Sequence, residues 1–331
     1  MKLILFLLLL SLSPALPAQE EKAGEKGARI EKRMRLANEL ESQGDSEGAL
    51  KILKELSDAD PENAGLLERV AILMIKTEQF KEAIPRLQKM LELKNGTAND
   101  YSALARMMIE VGESEAAITF LEDASKRFPE SADFPFLLTY PLAKLDRWND
   151  ALAQFRKTVD LAKGESSDLL NEGFYFRYAA AHERAGDFAE AEKGFRKTLD
   201  LITVNDPNGE NPEFTATVKN YLAYMWLERG ENIDEAGTMA QEAAKLDPES
   251  GAIADTVGCY HMKKGNYPRA LVELKKAERL IEKPDSVIFD HLGETLAKLN
   301  EKEFAAEYFR KALELDPKNE ALKARLAAVG K

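Results

Sequence analysis

A single cysteine rules out an internal disulfide in this chain of 331 residues, and three histidines give a metal site or a histidine-based catalytic centre little to draw on. Proline and glycine are scarce, at 13 and 19, which excludes a collagen-like or linker protein. Positive charge is in deficit. Lys and Arg number 46 against 58 Asp and Glu, and a surface with a formal charge of -12 repels phosphate backbones and anionic lipid headgroups. No nucleic-acid partner is expected. The longest apolar run, Leu3 to Leu12, is well short of the roughly 20 residues that a spanning helix needs. What is present is a globular balance, 44% hydrophobic and 31% charged, in a chain too long for one ordinary core. Either two domains or a repetitive body is implied.

The N-terminus has the three parts of an export signal: Lys2, the apolar run, and the small residues around Ser13-Pro14-Ala15-Leu16-Pro17-Ala18 before Gln19. A signal peptide over 1–18 is expected, cut after Ala18 or Ala15, with a flexible leader over 19–29 and no stable membrane insertion after cleavage. No cysteine lies near the cleavage region, which argues against a lipid anchor.

Alanines recur in matching surroundings at Ala49, Ala83, Ala117 and Ala151, each 34 residues apart, and continue at Ala191, Ala236, Ala270 and Ala305. Twelve or thirteen residues before each stands another small residue: Ala37, Ala71, Ala105, Thr139, Ala179, Ala223, Gly258 and Gly293. Such pairs mark places where two helices cross closely. Gly44, Gly112, Gly186, Gly230 and Gly265 lie between them as helix-ending turns, and a bulky apolar residue such as Leu53, Phe195 or Phe309 lies four positions after most of the second alanines. Pro61, Pro129, Pro248 and Pro317 close four of the second helices. The period predicts repeated antiparallel helix pairs.

On these residues the chain resembles the tetratricopeptide repeat family from Ile30 to about Asn319, most clearly at Leu292-Gly293, Ala305, Phe309, Ala312 and Pro317. The resemblance implies an all-α fold, a right-handed superhelical solenoid of about eight helix-turn-helix repeats over 30–319, with a capping helix and tail over 320–331. Departures from the pattern fall at Asn95, which replaces a proline, at Pro135, read as lying inside a first helix, and at an extra residue after Gly230. Insertions are expected near Lys163 to Asn171 and Thr203 to Phe214.

No phosphate-binding Gly-rich loop, zinc-binding His-Glu pair or Gly-x-Ser-x-Gly elbow occurs, so no catalytic residue, metal or cofactor is assigned and the protein is not expected to be an enzyme. Cys259 and His261 are two apart on one helix and point to different sides, which argues against a nucleophile-base dyad. The family binds protein or peptide partners in a concave groove lined by its first helices. Its groove positions map to Phe136, Tyr140, Phe176, Asn220, Tyr224, Asp255 and Asp290, with a cluster of exposed aromatics in the fourth to sixth copies. The basic carboxylate clamp of the chaperone-binding branch is absent, and acids at Asp255, Asp290 and Glu294 are expected to repel a carboxylate. The expected role is an exported, periplasmic or otherwise extracytoplasmic adaptor in cell-envelope assembly, secretion or polysaccharide export. The alternatives are an accessory subunit of an envelope-polymer enzyme and a self-associating spacer.

Overall fold

The computed structural model describes residues 25–330. The signal peptide and residues 19–24 of the leader lie outside the described residues. Within them are 17 α-helices, no strand and a 3₁₀ turn at Gly164–Leu169.

The helices divide into two compact units, one ending at Ser167 and the other beginning at Asp168. The first unit holds α1 (Glu25–Ser42), α2 (Ser46–Ala59), α3 (Ala64–Lys76), α4 (Phe80–Lys94), α5 (Ala98–Glu110), α6 (Ser114–Arg127), α7 (Asp133–Lys144) and α8 (Trp148–Leu161). The second holds α9 (Glu172–Arg184), α10 (Phe188–Asn205), α11 (Pro212–Arg229), α12 (Ile233–Leu246), α13 (Gly251–Lys263), α14 (Tyr267–Leu280), α15 (Ser286–Lys298), α16 (Lys302–Leu315) and α17 (Glu320–Val329). Odd-numbered A helices pair with the following even-numbered B helices as hairpins, and within each unit every B helix packs on the next A helix.

The small-residue pattern explains the pairing. All eight B-helix alanines, from Ala49 to Ala305, are completely buried, and their A-helix partners are buried with them. Closeness is obligatory here. A methyl group placed on Gly258 would stand 2.7 Å from Leu274, and one on Gly293 would stand 2.6 Å from the Phe309 ring. The bulky residue one turn later then fills the core beside the crossing, as Leu53, Leu121, Phe195, Leu274 and Phe309 do. Trp226 is fully buried on α11, and its Nε1 donates to Glu192 Oε2 on α10 at 3.1 Å.

Turns repeat as regularly as crossings. Each hairpin turn carries a left-handed residue: glycine at Gly44, Gly112, Gly186, Gly230 and Gly265, but Glu78, Asp146 and Asn300 in the other three. Asn95, out of pattern in the sequence, adopts the left-handed C-cap of α4 at φ 51° and ψ 54°, a conformation asparagine tolerates. Pro135 falls in the first turn of α7, where its missing N–H has no helical acceptor to lose. The extra residue after Gly230 is absorbed by a second left-handed position, Asn232.

Two boundaries differ from expectation. Helix α1 opens at Glu25, so residues 25–29 of the segment read as a leader are helical, because Glu, Lys, Ala and Arg favour extending a helix nucleated by the packed turn around Ala37. Half of the longer insertion is helical too: α10 and α11 each run for 18 residues and leave residues 206–211 as a loop. Asp206 organises that loop by accepting from the N–H groups of Glu210 at 2.7 Å and Asn211 at 2.9 Å, which hold its carboxyl below the usual range. Helix α17 caps the last hairpin through buried Leu322 with Leu326 and Val329. No described helix is long and apolar enough to cross a membrane.

Candidate functional site

The residues mapped to the groove fall into three groups. Phe136 and Tyr140 belong to the first unit, where Phe136 is buried, 7% exposed, with its ring edge-on to Tyr140 at 5.5 Å between centroids. In the second unit Phe176 on α9 is half-buried. It meets Phe195 of α10 at 5.9 Å, and Phe214 and Tyr221 of α11 at 5.5 and 5.1 Å. These two rings therefore do not form the exposed aromatic surface that the sequence suggested. For Phe176 the physical reason is local: α11 begins a turn early, at Pro212, and the added turn carries Phe214 onto its ring.

Asn220 and Tyr224 stand one turn apart on α11, both half-buried. Burial, then Glu228, and then Cys259, Asp255 and Asp285 push the Tyr224 hydroxyl well above its ordinary pKa, so it keeps its proton. Asn220 Oδ1 is buried with no hydrogen-bond partner, and Asp290 Oδ1 on α15 is in the same condition. Ser102, at the corresponding position of α5 in the first unit, also leaves its hydroxyl unpartnered. Buried polar atoms are nearly always paired, and three of the unpartnered ones share this A-helix position, whereas Ser125 Oγ and Thr295 Oγ1 lie elsewhere.

The acids do not behave as the sequence suggested. Arg325 on α17 pairs with the other carboxylate oxygen of Asp290 and reaches Glu294 Oε1 at 2.6 Å, so both charges are compensated within the unit. Burial still raises the Asp290 carboxyl above the usual range, against the opposing pull of Arg325. Asp255 is buried, 5% exposed, and faces a histidine. The repulsion of a carboxylate expected from these three acids is correspondingly reduced, because Arg325 opposes Asp290 and Glu294 and the His291 ring covers Asp255.

That histidine is His291. Asp255 and Cys259 stand one turn apart on α13, and His291 comes from α15. Asp255 Oδ1 lies 2.9 Å from His291 Nδ1, Cys259 Sγ lies 3.3 Å from the same nitrogen, and Sγ is 3.9 Å from Asp255 Oδ2. All three residues are buried. Burial, reinforced by Asp255, pushes the Cys259 thiol up to about 11, so it carries its proton at neutral pH. Burial alone would lower the His291 ring; the facing Cys259 and Asp255 outweigh it and hold it well above the ordinary histidine value. Asp255 addresses Nδ1 alone, whereas Cys259 Sγ lies against the ring at 3.3 Å from Nδ1 and 3.7 Å from Nε2.

Sequence reasoning set Cys259 against His261, which is buried beside Tyr260 with its pKa lowered by burial. The partner lies 32 residues on from Cys259 and 36 from Asp255, the distance from one A helix to the next. That interval was the signal available.

Stacked helix hairpins, crossings of small residues and a left-handed residue in every hairpin turn are the marks of one repeat family. Residues 24–211 match the model of the tetratricopeptide repeat, and residues 288–319 match a second model of that repeat. The chain belongs to the tetratricopeptide repeat family. Similar proteins include tetratricopeptide repeat protein 7A of Homo sapiens, 23% identical over 80% of this chain and 34% of that protein. Cellulose synthase operon protein C of Escherichia coli (strain K12) is 23% identical over 83% of this chain and 22% of its own length. YpiA, a repeat-containing protein of Bacillus subtilis (strain 168), is 22% identical over 83% of this chain and 61% of its own. The chain thus spans less than two thirds of each of these relatives. Among solved structures, a chain of the APC/C hetero-tetramer Cut9-Hcn1 superposes with a TM-score of 0.59 at 13% identity, over 93% of this chain and 60% of that one. The type IV pilus biogenesis factor PilW does so at 0.54 and 16%, over 71% of this chain and 98% of its own. At such identities the likeness is one of fold. The family and its fold support a scaffold that binds peptides or proteins.

Proposed function

We propose that this tetratricopeptide protein is a non-catalytic adaptor, exported from the cytoplasm, that holds a protein or peptide segment on the A-helix face of its second unit during a cell-envelope process. The observation that carries the reading is the pair of orphaned acceptors, Asn220 Oδ1 and Asp290 Oδ1, at the positions where the family meets its ligands, with the Tyr224 hydroxyl beside Asn220 on α11. An extended segment supplies backbone N–H groups that satisfy such acceptors, and a half-buried tyrosine supplies contact area at low entropic cost. Export rests on the N-terminal residues, from Lys2 through the apolar run to Ala18. The envelope setting draws on two similar proteins, one named for a cellulose synthase operon and one for type IV pilus biogenesis.

Two measurements test it. Intact mass of the protein recovered from fractionated cells is expected to show a chain beginning at Gln19, or after Ala15, outside the cytoplasm; retention of Met1 to Ala18 contradicts export. Capture from an envelope extract is expected to yield a defined partner set that the Asn220→Ala, Tyr224→Ala double variant loses while its melting temperature stays within a few degrees of the parent. Full capture by that variant contradicts the assigned face.

A further inference from the structure

We infer that Asp255, Cys259 and His291 form a binding site for one divalent transition-metal ion, of which zinc is the best match. A carboxylate oxygen, Sγ and a ring nitrogen lie within 4.8 Å of one another and are buried. With zinc bonds of about 2.3 Å to sulfur and about 2.0–2.2 Å to nitrogen and oxygen, neighbouring ligand atoms of a tetrahedral ion stand about 3.3–3.6 Å apart. Asp255 Oδ1 and Cys259 Sγ lie 2.9 and 3.3 Å from His291 Nδ1, and the sulfur approaches the carboxylate at its other oxygen, Oδ2, at 3.9 Å, so a turn of the Asp255 carboxylate with small side-chain shifts brings one oxygen, the sulfur and the nitrogen to that spacing.

The donor set selects the ion. Thiolate, imidazole and carboxylate together suit a borderline cation and not the hard, oxygen-seeking calcium or magnesium. Charge closes as well: a carboxylate and a thiolate balance a dication, and the neutral imidazole completes three protein ligands, with a fourth position left for water. Without an ion, the carboxylate and the sulfur both crowd Nδ1, at 2.9 and 3.3 Å; a cation serves all three groups at once. Rigid placement favours the site, since Asp255 and Cys259 share one face of α13 and His291 comes from the neighbouring A helix, α15. Binding displaces the thiol proton and, from a protonated His291, the proton on the ligating ring nitrogen, Cys–SH giving Cys–S⁻ and imidazolium giving neutral imidazole with each proton released to solvent, so affinity falls as pH falls.

The inference goes beyond the adaptor reading and stands or falls separately from it. The test is titration of the untagged, chelator-dialysed chain with Co²⁺, followed by displacement with Zn²⁺. One equivalent of cobalt is expected to produce a thiolate-to-metal charge-transfer band and the visible bands of a four-coordinate ion, and zinc is expected to abolish both. Cys259 is the sole cysteine of the chain, so such a band has one source. Cys259→Ser is expected to remove the band, and His291→Gln and Asp255→Asn, near-isosteric changes, to weaken binding by more than about 100-fold. Zinc is also expected to raise the melting temperature of the parent and not of His291→Gln. Absence of the charge-transfer band in the parent overturns the proposal, whatever the variants do. So does cobalt affinity that is unchanged in His291→Gln and Asp255→Asn.

Discussion

Glu78, Asp146 and Asn300 occupy turn positions where five other hairpins place glycine, at φ values of 59°, 55° and 65°. A side chain with a Cβ in that region costs roughly 1–2 kcal/mol, and Glu78, unlike Asn300, has no short amide to offset it. Glu78→Gly is therefore expected to raise stability by about 1 kcal/mol or somewhat less, part of the gain being lost to the freer unfolded chain, and a urea melt of the parent and variant reads the sign. The reverse holds at the crossings. A Cβ on Gly194 would lie 2.7 Å from Ala179 Cβ and 3.1 Å from its Cα, which the α9 backbone fixes. Gly194→Ala is expected to cost about 1–3 kcal/mol although alanine is the better helix former, and an unchanged melt would mean that α9 and α10 are not so closely opposed.

At the scale of the element, the hairpin depends on its crossing and its caps. Ala151 and Ala270 are completely buried, and an indole cannot occupy a space shaped for a methyl group. Ala270→Trp is expected to speed hydrogen exchange through α13 to α16, the hairpins that meet at that crossing, and Ala151→Trp to do the same in α7 and α8. Protection left intact in both would reject the register. Asp285 caps α15 by accepting from Val287 N at 2.7 Å and Ile288 N at 3.3 Å, so Asp285→Ala is expected to cost about 1 kcal/mol, read as a lower melting temperature. The hairpins were legible in the sequence because their crossings demand small residues at a fixed interval, which a period of 34 displays directly. Side-chain environment was less so. Phe136 and Phe176 occupy groove positions by count, yet one ring is buried and the other is enclosed by Phe214 from an early turn of α11, which no repeat pattern encodes. The meeting of Cys259 with His291 depends on the stacking of adjacent A helices, whereas His261 is the histidine that shares α13 with Cys259.

For the molecule as a whole, the proposed partner face is that of the A helices of the second unit, where Asn220 and Asp290 keep unpartnered buried oxygens and Arg325 compensates the acids of α15. The B helices offer a built-in control, since Val272 on α14 and Phe304 on α16 are 64% and 57% exposed. A partner drawn to any apolar surface would prefer those two positions. The most direct measurement is photo-crosslinking in the cells that make the protein, with a benzophenone amino acid placed singly at position 220, 290, 272 or 304. Light-dependent adducts of the same partner are expected from positions 220 and 290 and none from 272 or 304. Adducts from 272 and 304 alone, or equally from all four positions, would contradict the proposed face.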